Sequence, residues 1–382
     1  MVVSQAIETQ YAFAYAFASG LGVWESGRLR KADLWNIAPQ RSRFRIAAAA
    51  LAPVVVLTWL MLLLPVTVAL VQTTTAPTPG SLLPLLMAMV LCMAHASIGF
   101  GVGLRVSPMI AAPVMMVLVW VVVAYSWTVD TMWVRHVLGQ FPTTLMFGER
   151  ATLLSLAPHI LLTGGIAVGL WLLWLPLRQR LVRAALACLA VVCAAGGSWA
   201  VAHTWNYNPP LATRAAPERC LGEEPKVCVP EIAADRLPDV RSDVVSVLRD
   251  FNAVGVAHRP EVVLDSMQSG RFSPKSTDTT WHLPLAALST KQDHRYQTAL
   301  ATVRFPCRRP DPMTGLVVQG WVARVTHEEP AYQRMVGPLP DARSQRRLEG
   351  ELSRVGAMPE AEQAEWFQDS LVSGCQKAGP RP

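Results

Sequence analysis

The run from Ile46 to Leu104 contains no Asp, Glu, Lys or Arg, and this feature most constrains what the chain can fold into. A helix needs about 20 mostly apolar residues to cross a bilayer, so the run is long enough for two spans. Further charge-free runs follow at 106–129, 151–177 and 184–213. Beyond them the sequence becomes charged and rich in proline. The pattern predicts a membrane block, residues 1–203, followed by one extramembrane domain, residues 204–382.

The apolar runs divide into six predicted transmembrane helices, so the first block is predicted to be a membrane all-α bundle. The predicted spans are residues 5–24, 46–71, 82–104, 108–127, 151–177 and 184–203. The first span is the weakest, because Glu8 and Gln10 lie near its start, and a helix at the membrane interface is the alternative. Between the fourth and fifth spans, residues 128–150 predict a short helix lying on the membrane, with Trp133 at the level of the headgroups.

The charge of the chain is concentrated in the loops of the membrane block. The net charge is +7, yet residues 204–382 hold 22 basic and 22 acidic residues, so the excess of 12 basic over 5 acidic residues lies in residues 1–203. Ten of those twelve fall in the loop 25–45, at Arg105, and in the loop 178–183. The positive-inside rule places these loops in the cytoplasm and the C-terminal domain outside the cell membrane. The excess marks topology, which argues against a nucleic-acid partner.

The cysteines divide between the two blocks. Three fall in apolar spans, where thiols behave as small hydrophobic groups: Cys92, Cys188 and Cys193. The external domain contains the other four, an even number in an oxidising compartment: Cys220, Cys228, Cys307 and Cys375. Of the three pairings that four cysteines allow, we favour Cys220–Cys228 and Cys307–Cys375. A zinc site is the competing interpretation, but neither a CxxC pair nor regularly spaced histidines accompany these cysteines.

The external domain shows the pattern of a small α+β fold. Residues 235–256 repeat apolar residues at helical spacing, which predicts a helix. Residues 359–375 begin with Pro359 and carry Glu360 and Glu362 in the first turn, which predicts a second helix. Four further segments alternate in the manner of strands and predict a small antiparallel sheet. The predicted strands are residues 261–266, 279–285, 296–304 and 316–326.

The sequence contains no pattern for catalysis. His327–Pro330 reads HEEP and not HExxH, and the chain has neither a GxSxG motif nor a P-loop. Asp235, Asp239 and Asp243 lie four residues apart, which predicts a solvated helix face interleaved with arginines. We therefore predict that the chain is not an enzyme and that it binds neither a metal nor a cofactor.

Histidines and glycines are the residues of interest within the spans. Ionisable groups in a membrane are functional candidates, so His95 and His159 are candidates for a transport path. The alternative for each is a neutral histidine at a contact between helices. Gly99, Gly101 and Gly103 end the third span. Small residues let helix backbones approach closely in lipid, so this end is predicted to pack against another helix.

The loop 25–45 interleaves apolar and basic residues, which predicts a short amphipathic helix at the cytoplasmic interface that ends before Pro39. One hypothesis is a basic loop that serves topology alone, and the other is a docking element for a cytoplasmic partner. A span is followed by Glu25 and Gly27, and then by Pro39, Arg41 and Ser42 before the next span. The arrangement of this region resembles that of ABC-2 type transporter permeases.

The external half resembles the domain of unknown function on actinobacterial permease-like proteins. The matching pieces are Cys220…Cys228-Val229-Pro230, Leu237-Pro238 and Glu362-Gln363…Trp366…Cys375. A composition rich in arginine, alanine, valine and proline, with few lysines, fits an actinobacterium.

The resemblance implies a permease subunit of an exporter with an amphipathic cargo, surrounded by membrane lipids and paired with itself or a sister subunit. A separate cytoplasmic ABC ATPase would drive it. In that family the loop docks on the ATPase, so the implied docking residues are Glu25, Arg28, Arg30, Lys31 and Trp35. The alternative is a membrane-anchored extracytoplasmic module for binding, sensing or assembly, whose spans only hold the external domain.

Overall fold

The computed structural model describes residues 2–37, 42–175, 178–213, 217–285 and 291–376. The chain forms two compact units, Met1–Thr213 and Arg214–Pro382. The division lies beyond residue 203, because strands β1 (Glu149–Ala151) and β2 (Leu211–Thr213) form an antiparallel pair within the first unit.

The first unit is a bundle of helices. They are α1 (Val2–Ile7), α2 (Gln10–Lys31), α3 (Leu34–Ile37), α4 (Arg43–Gln72), α5 (Pro79–Gly103), α6 (Pro108–Ala124), α7 (Met132–Arg135), α8 (Leu153–Leu172) and α9 (Arg180–Ala202). Among the described residues, five helices are long and apolar enough to cross a membrane, namely α4, α5, α6 with the turn that follows it, α8 and α9. These correspond to the second to sixth predicted spans. Outward residues on them, such as Ile110 (65% exposed) and Val192 (66%), are apolar, as a surface in contact with lipid requires.

Helix α2 lies at the centre of this unit. It has 22 residues and is therefore about 33 Å long, but it is not among the five apolar helices. It packs against α4, α5 and α6. Tyr11, Tyr15 and Val23 on α2 are exposed by 1% or less. The helix predicted to be the weakest span thus buries its small and polar residues against other helices, while three of its aromatic side chains remain exposed.

The connection from α6 to α8 differs from the prediction of a helix lying on the membrane. The chain makes a 3-10 turn at Tyr125–Thr128 and a single helical turn, α7, and then runs irregularly to β1. Val137, Phe141 and Leu145 are exposed by 2% or less. We call residues 136–148 the inserted segment, because they pack into the bundle. An irregular backbone is stable there since other parts of the unit satisfy its polar groups.

The second unit combines a four-stranded sheet with helices. Its strands are β3 (Glu218–Leu221), β4 (Lys226–Pro230), β5 (Val262–Asp265) and β6 (Thr280–Leu283). Its helices are α10 (Leu237–Ala253), α11 (Lys291–Leu300), α12 (Pro312–Val325), α13 (Glu329–Val336), α14 (Ala342–Gly356) and α15 (Glu360–Gln376). Helices α10 and α15 confirm the two predicted helices, and β5 and β6 confirm two of the predicted strands.

The predicted antiparallel sheet is wrong in its topology. The strand order is β3-β4-β5-β6. Strands β3 and β4 are antiparallel neighbours, whereas β4 with β5 and β5 with β6 are parallel. Val240 and Val244 of α10 pack on this sheet with Val227, Val263 and Trp281.

The predicted strands 296–304 and 316–326 are also wrong, since these residues belong largely to α11 and α12. Asp311 accepts a hydrogen bond from the Thr314 N–H at 2.8 Å, and Pro312 occupies the first helical turn, which together start α12. Its valines suggested a strand by their β-branching. They are buried instead on a helix that contacts its neighbours on several sides, with Val318 and Trp321 exposed by 1% or less.

Two disulfides fix the second unit, in the pairing that we favoured from the sequence. Cys220–Cys228 joins directly opposed residues of β3 and β4. Cys307–Cys375 spans 68 residues and ties the segment before α12 to α15. Glu218 lies beside the first disulfide. The two cysteine sulfurs there are bonded to each other and are therefore not thiolates that could bind a metal.

Candidate functional site

Helices α2 and α5 approach each other through small residues. A Cβ atom added at Gly99 would lie 2.0 Å from the carbonyl oxygen of Ser19. One added at Gly103 would lie 2.0 Å from the hydroxyl oxygen of Ser26. Both distances are far below van der Waals contact, so glycine is required for this approach. The third glycine of the predicted set, Gly101, faces α8 instead.

The two histidines singled out in the spans belong to one buried cluster. His95 Nδ1 lies 3.3 Å from Ser19 Oγ, and the His95 ring stacks on Tyr15 with centroids 4.9 Å apart. The Tyr15 hydroxyl donates to the carbonyl oxygen of Gly139 at 3.0 Å, and the Gly139 N–H donates to His159 Nδ1 at 3.1 Å. Since Nδ1 of His159 accepts, the neutral ring carries its proton on Nε2. We call these five residues the histidine cluster.

The histidine cluster holds the inserted segment against α2, α5 and α8. The Nε2 atoms of His95 and His159 are buried and have no hydrogen-bond partner within the described part of the chain. The Gly139 amide is not an acid or a base near neutral pH, so it interrupts a side-chain route between the imidazoles. This geometry suits a structural contact that holds the inserted segment in place better than it suits a proton relay. The transport-path assignment of both histidines stays a prediction. Nothing in the sequence linked Tyr15 or Gly139 to them.

Further hydrogen bonds fix the inserted segment to the first residues of the chain. Gln140 Nε2 donates to the carbonyl oxygen of Glu8 at 3.2 Å, and Thr144 Oγ1 donates to Glu8 Oε2 at 2.7 Å. The Leu145 N–H donates to Ser4 Oγ at 3.2 Å. Glu8, whose charge weakened the first predicted span, is therefore partnered by protein.

Arg135 and His136 connect the inserted segment to the residues after α9. His136 Nε2 donates to the carbonyl oxygen of Asn206 at 2.8 Å. Arg135, exposed by 2%, donates to the Trp127 carbonyl oxygen at 2.7 Å and lies 4.1 Å from the ring centroid of Tyr207. Burial lowers the pKa of His136; the Asn206 carbonyl opposes this shift, and the charge of Arg135 adds to it. Arg135 is thus a packed residue, although it lies in the connection from α6 to α8.

Five aromatic rings meet where α2, α5 and α8 end and α4 begins. This aromatic cluster consists of Trp35, Phe44, Phe100, Trp171 and Trp174. Trp35 meets Trp174 edge-on with centroids 5.5 Å apart, and Trp171 meets Trp174 in the same way at 5.1 Å. Arg30, Arg43 and Arg105 belong to the same helix ends, which we call the arginine-rich end.

The residues predicted to dock a cytoplasmic partner lie at this end, four of them on α2 and Trp35 on the separate short helix α3. Glu25, Arg28, Arg30 and Lys31 continue α2, because the stretch ESGRLRK contains no proline and favours helix. Arg28 pairs with Glu25 at 2.7 Å. Arg30 donates to the carbonyl oxygens of residues 104 and 106 at 3.4 and 3.3 Å. Pro39 and Arg41 of the predicted loop lie outside the described residues.

The second unit carries an open groove of about 590 Å³ beside α10. The groove is lined by Glu224, Pro225, Val245, Leu248, Arg249, Asn252, His258, Arg259, Pro260 and Glu261. Its volume is that of a small-molecule site. Charges of both signs line it, and in the part of the chain that the structure describes they form no ion pairs with one another. Burial lowers the pKa of His258.

A buried ionic network ties α10, α11 and α13 together. Arg295 donates to Glu328 Oε1 at 2.6 Å, to Asp250 Oδ2 at 2.9 Å, and to the Ser246 hydroxyl. Burial raises the pKa of Glu328, and the contact with Arg295 opposes this shift. Asp243 of the predicted solvated face is exposed by only 3%, so that prediction is wrong for this residue. The Asp243 carboxylate lies 3.4 Å from the buried His294 ring, which offsets its desolvation.

No family model matches the chain, and no curated protein or solved structure is similar to it. Its function is therefore inferred from its sequence and its geometry.

Proposed function

We propose that the chain is the membrane-spanning, permease-like subunit of an ABC-2 type exporter, driven by a separate cytoplasmic ATPase. The position of α2 carries this proposal. An anchor needs only one apolar helix, whereas here α2, which is not among the five apolar spanning helices, packs its polar and small residues against α4, α5 and α6. A helix that brings polar groups such as Ser19 into the interior of a bundle is the kind of element that a transport path uses.

The orientation follows from charge and cysteine chemistry. The basic residues before α4, after α5 and before α9 favour a cytoplasmic location for the arginine-rich end. Within the described ranges, five helices, namely α4, α5, α6, α8 and α9, cross between the cytoplasmic end of α2 and the second unit, and this odd number puts the second unit on the extracytoplasmic side. Its two disulfides support that side, because disulfides persist in oxidising compartments.

The proposed ATPase-docking surface is the end of α2. Arg28 has 66% of its side chain exposed, and Lys31 is exposed as well, so both are free to meet a partner. Glu25 and Arg30 support this surface through their contacts within the unit, and Trp35 lies in the aromatic cluster. A second copy or a sister subunit would complete the exporter.

The test is a detergent pull-down of the tagged chain from its native host, analysed by mass spectrometry. The Arg28→Glu, Lys31→Glu double variant reverses two exposed charges at the docking surface. The Arg343→Glu, Arg347→Glu double variant is the matched control, because it reverses two exposed charges on α14 of the second unit.

We expect an ABC ATPase to co-purify with the native chain and with the control, and to be lost from the docking variant. An ATPase retained equally by all three chains would remove the docking surface from the proposal. If no ATPase is recovered with any chain, while extracytoplasmic proteins are, the exporter proposal fails.

The groove beside α10 favours a second candidate function, in which the helices anchor an extracytoplasmic binding or sensing module. A small-molecule-sized groove with unpaired Arg249, Arg259, Glu224 and Glu261 suits a polar ligand that carries both charges. The docking variant distinguishes the two functions. A binding module tolerates the docking variant without loss of function, and an exporter does not.

A further inference from the structure

A small groove opens between α5 and α8 beside the aromatic cluster. Ser97, Phe100 and Gly101 form one wall, and Leu170 and Trp171 form the other, around a volume of about 120 Å³. This is well below the roughly 300 Å³ at which small-molecule sites begin, so the groove suits a single hydrocarbon chain. Both helices are of membrane-spanning length, so in a bilayer the groove meets lipid acyl chains.

Three side chains that line this groove carry hydrogen-bond donors that have no partner among the described residues. Arg105 follows α5 and lines the groove with an exposed side chain. Arg30 donates to the two backbone carbonyls that flank Arg105, which fixes the turn while leaving the Arg105 guanidinium unused. Trp171 and Trp174 are half-buried, and their indole N–H groups donate to nothing among the described residues. An apolar groove thus ends at one cation and two neutral donors.

We propose that this groove binds one anionic phospholipid, with an acyl chain against Gly101 and Leu170 and the phosphate on Arg105. A guanidinium binds phosphate through parallel charge-assisted hydrogen bonds, and tryptophan N–H groups donate at the headgroup level. Basic pockets between transmembrane helices are sites for anionic headgroups. The lipid is a resident partner of the bundle and not its cargo, so the inference does not depend on the exporter function.

Native mass spectrometry of the purified full-length chain tests the proposal. The chain is equilibrated with equal amounts of phosphatidylglycerol and phosphatidylcholine, and the lipids retained after gas-phase release of detergent are counted. Arg105→Glu reverses the charge of the side chain proposed to bind the phosphate. Arg105→Gln removes that charge and keeps a polar side chain. Arg180→Glu, an equal charge change at the exposed start of α9, is the matched control. Ser97→Leu fills the groove without changing charge; the Ser97 hydroxyl donates only within α5.

We expect the native chain to retain phosphatidylglycerol over phosphatidylcholine by about tenfold, because both lipids offer a phosphate to Arg105 but phosphatidylcholine also carries a cation that the guanidinium repels. Both Arg105 variants should lower this ratio to about one, Arg180→Glu should preserve it, and Ser97→Leu should lower the total lipid retained. A ratio preserved in Arg105→Gln overturns the proposal, as does an equal loss in Arg180→Glu. Displacement of phosphatidylglycerol by inorganic phosphate would assign Arg105 to a free anion and also overturn it.

Discussion

Single residues decide whether α2 can lie at the centre of the first unit. Gly99 and Gly103 leave room for its backbone at Ser19 and Ser26. The glycines of α5 indicated a close helix contact from the sequence. The sequence did not identify α2 as the partner helix, because small residues permit a close approach without specifying which helix makes it.

Gly99→Ala is expected to destabilise the first unit by about 1–3 kcal/mol, since the new methyl group would lie 2.0 Å from a backbone oxygen and force α2 and α5 apart. The measurement is thermal unfolding in detergent. Gly196→Ala on α9 is the control, because a Cβ there meets nothing within 4 Å. An unchanged melting temperature for Gly99→Ala would show that the close approach of α2 and α5 is not required.

His136 gives the inserted segment a pH dependence. Its pKa in the folded chain is lowered by burial, so its stabilising contribution is present above the unfolded value of 6.5 and is lost as the pH falls through the folded value. Protonation would place a charge on Nδ1, which is buried without a described partner, next to Arg135. We expect amide hydrogen exchange of residues 136–148 to quicken, relative to the intrinsic rate, when the pH falls below about 6.

His136→Gln keeps a donor for the Asn206 carbonyl but does not titrate, so its corrected exchange rates should be the same on both sides of that pH. Equal acid sensitivity in this variant would assign the effect to another group.

At the scale of elements, the sequence was informative where one physical property dominates. The apolar length of α4, α5, α6, α8 and α9 is sufficient to identify them, because the bilayer imposes a minimum length on any span. Helix α12 was missed because buried β-branched residues occur both in strands and in helices packed on several sides. Helix α11 was missed because the strand predicted over residues 296–304 runs across its end at Leu300. Asp311-Pro312 was the local signal that could have corrected α12.

The inserted segment and the histidine cluster could not be predicted from sequence. Tyr15, Gly139 and His159 come from three separate elements, and their hydrogen bonds exist only once the bundle has formed. The docking role of the residues near the arginine-rich end stays a prediction, and the contact of Arg30 with backbone carbonyls was not foreseen from the sequence. A long basic side chain reaches either solvent or a neighbouring carbonyl without any difference in sequence.

The two disulfides should stabilise the second unit unequally. Loop-closure entropy predicts a loss of about 4 kcal/mol when Cys307 and Cys375 are replaced by serine, since their loop spans 68 residues. Replacement of Cys220 and Cys228, which are 8 residues apart, should cost about 2.5 kcal/mol. Hydrogen exchange of α12 and α15 at increasing urea concentration measures both. A larger loss for the short loop would contradict the entropic account.

At the scale of the whole molecule, the second unit has its own core, sheet and disulfides. We expect residues 214–382, expressed alone in an oxidising compartment, to fold with both disulfides in the pairing described. Far-UV circular dichroism and disulfide mapping by mass spectrometry check this. A reducing compartment is the matched control. Scrambled disulfides in the oxidising compartment would mean that the second unit needs the first in order to fold.

The central position of α2 also bears on how the chain is made. Synthesis begins at the N-terminus, so α2 leaves the ribosome before α4, α5 and α6, the helices that later enclose it. Helix α2 is not among the five helices apolar enough to span a membrane, so we expect it to insert weakly into a bilayer by itself. We expect its stable insertion to follow the synthesis of the three helices that pack against it. During that interval the insertion machinery or a chaperone would shelter the helix around which the finished bundle is arranged.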